Sequence, residues 1–74
     1  MSPPLLDRVL AVMPLGKPLL TTEITRLVFP NVRDFEYPNC RSAIYGALVT
    51  AEKWGVVERI SLERTRGQFW RRIR

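Results

Sequence analysis

The sequence contains no histidine and one cysteine, Cys40. Without histidine, the usual cysteine/histidine zinc patterns and every histidine general base are excluded, and a lone cysteine excludes an internal disulfide. Glycine is scarce, and the four present form no glycine-rich phosphate loop. No positioned catalytic set remains, so the expectation is a non-enzyme without cofactor or metal. No apolar run approaches the roughly 18–20 residues that span a bilayer. Met1-Ser2-Pro3-Pro4 lacks the basic region and long apolar stretch of a signal peptide. These absences predict a soluble intracellular protein, cytoplasmic or nucleoid-associated, with no membrane contact.

What is present fits one small globular domain. At 74 residues the chain lies near the lower limit for folding without staples, and its apolar share of 46% is ordinary for a packed protein. Such a core rests on close packing, on dimerisation, or on both. The net charge of +5 is unevenly placed: residues 1–58 balance to zero, and residues 59–74 carry six arginines against Glu63 alone. A one-sided arginine cluster is the electrostatic footprint of polyanion binding, and arginine suits bidentate phosphate contacts.

Pro3 and Pro4 can open a first helix over about 3–14, because proline in the first turn sacrifices no internal hydrogen bond. Leu5, Leu6, Val9, Leu10, Val12 and Met13 recur at helical spacing within it. Lys17 to Leu20 reads as a short extended segment, and Thr21 or Thr22 can cap a second helix over about 22–29. Ile24, Leu27, Val28 and Phe29 would form its buried stripe. Residues 30–38 read as an ordered loop held to the domain by Phe35 and Tyr37. Asn39 can cap a third helix to about Trp54, closed by Gly55 in the left-handed conformation. Ile44, Ala47, Leu48 and Ala51 lie on its core side, while Gly46 suggests close approach of another helix or a ligand.

The remaining stretch, about 56–73, reads as a β-hairpin. Ile60 and Leu62 alternate with Arg59, Ser61 and Glu63, and Gly67 supplies the conformational freedom of a tight turn. A hairpin alone is only marginally stable, so it must pack on a helix. The fold class predicted is α+β, with three helices, a short strand and a two-stranded hairpin in one domain spanning 1–74.

The passage Ala47 to Arg59, ALVTAEKWGVVER, followed by a hairpin with a basic tip, resembles the recognition-helix-to-wing junction of winged helix-turn-helix proteins. Small repressors of the multiple-antibiotic-resistance and arsenic-repressor types share it: a helix ends in glycine, then two apolar residues and an acidic-basic pair lead into the wing. The resemblance implies a regulator of transcription that binds double-stranded DNA, as in viral, bacterial or archaeal cells. It places the third helix in the major groove and the wing on the backbone or minor groove. Carried over by position, Asn39, Arg41, Ser42, Tyr45, Val49 and Thr50 would face the groove. Arg64, Thr65 and Arg66 at the wing tip, with Arg71, Arg72 or Arg74 near its base, would hold the backbone.

Other roles compete with these. A winged helix can instead meet an acidic protein partner, or structured RNA. The apolar side of helix one is a candidate homodimer surface. Cys40 is either a redox-active thiol or, more commonly for a lone cysteine, a small packing residue. Tyr45 either contacts nucleic acid or packs on the Phe35/Tyr37 loop. Trp54 and Trp70 read as core or dimer anchors. Arg71 and Arg72, adjacent on a strand, point to opposite faces, so at most one need meet DNA. Glu58 and Glu63 read as charge partners of nearby arginines.

Overall fold

A computed structural model describes residues 4–60 and 68–74. Helix α1 (Leu5–Val12), strand β1 (Pro18–Leu20), helices α2 (Thr21–Val28) and α3 (Tyr37–Lys53), and strands β2 (Val57–Ile60) and β3 (Phe69–Arg72) follow in that order. The fold is α+β: three helices and a three-stranded antiparallel sheet in the order β1-β3-β2. The anticipated hairpin therefore gains a third strand. Lys17–Leu20 was legible as an extended segment, but Leu19 opposite Trp70 is a pairing fifty-one residues apart that no local pattern reveals.

Helix ends depart from the sequence reading in instructive ways. Pro4 sits at the N-cap of α1 rather than inside it. Neither Thr21 nor Thr22 caps α2: Leu20 holds that position, and the Glu23 carboxylate reaches back to accept its N–H at 3.5 Å. Asn39 does not cap α3. That helix begins two residues earlier, with Pro38 in a first turn that tolerates proline. The turn before it is hydrogen-bonded, Glu36 N–H donating to the Arg33 carbonyl at 2.9 Å. Gly55 closes α3 at φ +72°, as its left-handed role requires.

The core lies between the helices and one sheet face. Val9, Met13, Ile24, Val28, Ile44, Leu48 and Ala51 meet Leu19, Val57 and Trp70 there. Along β3 the period-two rule sends Trp70 and Arg72 inward and Phe69 and Arg71 outward. Trp70 is wholly buried, whereas Trp54 is 72% exposed and no part of the core. In α2, Thr25 takes the buried place anticipated for Leu27; its hydroxyl donates to the Thr21 carbonyl at 2.8 Å, so its burial leaves no orphaned polar group. The apolar side chains of α1 anticipated as a dimer surface, Leu5, Leu6, Leu10 and Val12, are half-buried against the core.

Arginines tie the layers together. The Arg8 guanidinium donates to the Val28 carbonyl at the end of α2 (3.1 Å) and lies over the Phe29 ring. Arg26 covers Tyr37, which holds the start of α3 to α2. Phe35, by contrast, stands 72% exposed, so only one of the two aromatics anticipated to fasten this segment does so.

Candidate nucleic-acid interface

The first turn of α2, the N-terminal half of α3 and the start of β3 enclose an open cleft of about 510 Å³. Thr21 and Thr22 line one wall, Arg41, Ser42 and Tyr45 another, with Gln68 and Leu20 at the base. Among the described residues the lining offers four hydroxyls, an amide and a guanidinium, and no carboxylate. Such a surface suits an anion rich in hydrogen-bond acceptors.

Its shape is fixed by an aromatic support beneath it. The Trp70 Nε1–H donates to Thr21 Oγ1 at 2.8 Å, and the same hydroxyl donates to the Gln68 carbonyl at 3.5 Å. Tyr45 meets Trp70 edge-on, with centroids 5.9 Å apart and planes at 78°. The Arg59 guanidinium lies 4.8 Å from the Trp70 centroid and 5.7 Å from that of Tyr45. Glu52 holds Arg59 from the outer side at 3.3 Å, a half-exposed pair worth little in isolation but useful for orientation. Tyr45 thus packs on Trp70 rather than on the Phe35/Tyr37 segment, and 40% of it faces solvent.

The residues anticipated to contact nucleic acid fall into separate places. Arg41, Ser42 and Tyr45 share the cleft. Asn39 is exposed in the first turn of α3, Thr50 is exposed with its hydroxyl donating to the Gly46 carbonyl, and Val49 packs partly against the core. A Cβ on Gly46 would meet nothing within 4 Å among the described residues, so none of the described helices approaches it. Arg64, Thr65 and Arg66, together with Glu63, lie outside the described residues.

Arg71 and Arg72 stand at the far end of β3 and Arg74 just beyond it, about 10 to 20 Å from Gln68 at roughly 3.3 Å per residue. Arg71 pairs with Glu58 across the outer sheet face, as anticipated for Glu58. Arg72 donates to the Leu10 carbonyl at 2.8 Å and to the Arg74 carbonyl at 2.7 Å. Its role is a clamp between β3 and the last turn of α1. Thr21, Thr22 and Gln68 were not anticipated at the site, because only the β1–β3 pairing brings Gln68 beside α2.

Cys40 is half-buried and lines a second cleft beside Phe29 and Val32. Among the described residues no group of three histidine, cysteine or acidic side chains is placed to hold a metal, and no helix is long and apolar enough to cross a membrane. Comparison with protein families, curated proteins and solved structures finds no match for this chain.

Proposed function

We propose that this chain is a double-stranded DNA-binding regulator of transcription built as a winged helix-turn-helix. The observation that carries the proposal is the cleft lined by Thr21, Thr22, Arg41, Ser42, Tyr45 and Gln68: donors and positive charge, with no carboxylate among the described residues, on the outer side of α3. The element order supports it: helix, short strand, two helices and two paired strands follow in the sequence that the winged-helix resemblance anticipates, with β1 joining the sheet as a third strand. In this reading α3 enters the major groove by its N-terminal half. Thr22 and Tyr45 contact phosphate, while Arg41 and Ser42 reach base edges. Arg64 and Arg66, near the middle of the residue 59–74 arginine cluster, supply further backbone contacts. Arg72 is left out, being committed to α1. The protein binds rather than catalyses, and its regulation comes from abundance or from a partner.

The test is titration of the full chain with random-sequence duplexes across a salt series, followed by selection of bound sequences. Roughly four to six phosphate contacts give a log–log salt slope of about −4 to −5. Arg41→Gln and Ser42→Ala should change the selected sequence. Failure to bind any duplex at low salt, or preferential capture of structured RNA in competition, would sink the proposal.

A further inference from the structure

We propose that Arg59 is a further phosphate contact of the nucleic-acid face, held in reserve by Glu52 until a backbone phosphate takes the place of that carboxylate. The inference rests on the DNA-binding reading of the same face. Arg59 lies on β2, and aromatic rings fix its guanidinium, 4.8 Å from the centroid of Trp70 and 5.7 Å from that of Tyr45. Stacking occupies the flat face of the group and leaves its N–H edge in play. Among the described residues one contact uses that edge: Nη2 donates to Glu52 Oε1 at 3.3 Å. Most of the N–H donors therefore remain for an acceptor arriving from solvent. The side chains of Arg59 and Glu52 are 33% and 37% exposed, so the pair is within reach of one.

Position and charge make phosphate that acceptor. Tyr45 joins Arg59 to the cleft: it lines the wall with Arg41 and Ser42, and Arg59 covers its ring. Arg41, Tyr45 and Glu52 stand at i, i+4 and i+11 on α3, which puts all three on one side of the helix. The side that carries Arg41 toward a duplex therefore carries Arg59 with it. Glu52 is the single carboxylate of α3. Paired with Arg59, it is neutralised in the free protein. A duplex presents a negative charge about every 1.7 Å of its axis, against the one charge of Glu52. A phosphate matches the carboxylate in charge and in its forked oxygens, and a half-exposed ion pair is weak enough to exchange. The exchange leaves Glu52 unpaired against the duplex, so Glu52 restrains binding through its hold on Arg59.

The full chain is titrated with one fixed duplex across a salt series, as wild type, Glu52→Gln, Arg59→Gln and the double variant, each checked for folding by circular dichroism. Arg59→Met, which keeps an apolar stem against Trp70, replaces Arg59→Gln if the latter does not fold. Glu52→Gln releases Arg59 and should raise affinity about threefold. Arg59→Gln should lower it about tenfold and flatten the salt slope by about one. In the Arg59→Gln background, Glu52→Gln should change affinity by less than about 1.5-fold, because Glu52 acts through Arg59. Equal gains from Glu52→Gln in both backgrounds would mean plain repulsion between Glu52 and the duplex, and would overturn the proposal. So would no gain from Glu52→Gln, an unchanged salt slope for Arg59→Gln, or loss of a cytosine preference in Glu52→Gln, which would make Glu52 a base reader. A wild-type chain that binds no duplex overturns the DNA-binding reading as well. A chain that binds but gives any of the other results overturns the Arg59 assignment alone.

Discussion

Trp70 and Thr21, forty-nine residues apart, are joined by a 2.8 Å hydrogen bond from the buried indole N–H to the threonine hydroxyl. This contact fastens the central strand to the first residue of α2 and so fixes both walls of the cleft. Thr21→Val keeps the shape but leaves the indole donor unpaired, which should cost about 1–3 kcal/mol. Denaturant titration of Thr21→Val, Trp70→Phe and the double variant should show coupling of about 1 kcal/mol. Strict additivity would mean that the bond contributes nothing.

Gly46 separates stability from binding. Its neighbourhood among the described residues is open, so Gly46→Ala should stabilise α3 by about 1 kcal/mol through helix propensity. For a domain of this size that raises the melting temperature by about 4–8 °C. If duplex backbone lies against this face, the same substitution weakens DNA binding. A more stable variant with unchanged affinity would place the DNA elsewhere.

Arg72 and Arg41 should behave oppositely. Arg72→Met removes the charged hydrogen bond to the Leu10 carbonyl and should cost about 1.5 kcal/mol of stability, with duplex affinity nearly unchanged. Arg41→Gln, at an exposed position, should leave the melting curve alone and lower affinity about tenfold or more. Calorimetry and fluorescence anisotropy on both variants decide the matter, and equal loss of affinity would return Arg72 to the interface.

Replacing Arg64 and Arg66 together by glutamine should weaken binding to all duplexes alike and flatten the salt slope by about two. A selective loss for one sequence would instead assign these arginines to base readout.

Local chemistry made much of this molecule readable. The i, i+3, i+4, i+7 spacing of Ile44, Ala47, Leu48 and Ala51 marked the inner side of α3, and Gly55 marked its end. The α+β class and the order of the helices followed from such signals. What escaped was non-local. Two tryptophans of equal hydrophobicity differ because one lies opposite Leu19 in the sheet and the other ends a helix at the surface. The cleft was half legible: Arg41, Ser42 and Tyr45 share a helix, but Thr21, Thr22 and Gln68 join them only through the β1–β3 pairing. Strand alternation was expected to send Arg71 and Arg72 to opposite faces, but that Arg72 is the inward one, held by the Leu10 carbonyl, is again a long-range contact.

The sheet order β1-β3-β2 also bears on how the domain comes into being. Its central strand is its last in sequence, so β1 and β2 have no sheet partner until Phe69–Arg72 has been made. The closing of a loop of about fifty residues between Leu19 and Trp70 must precede the contacts that reward it, which slows the final step. During synthesis the β1 and β2 segments therefore wait without their central strand, with Leu19 and Val57 uncovered and open to premature association.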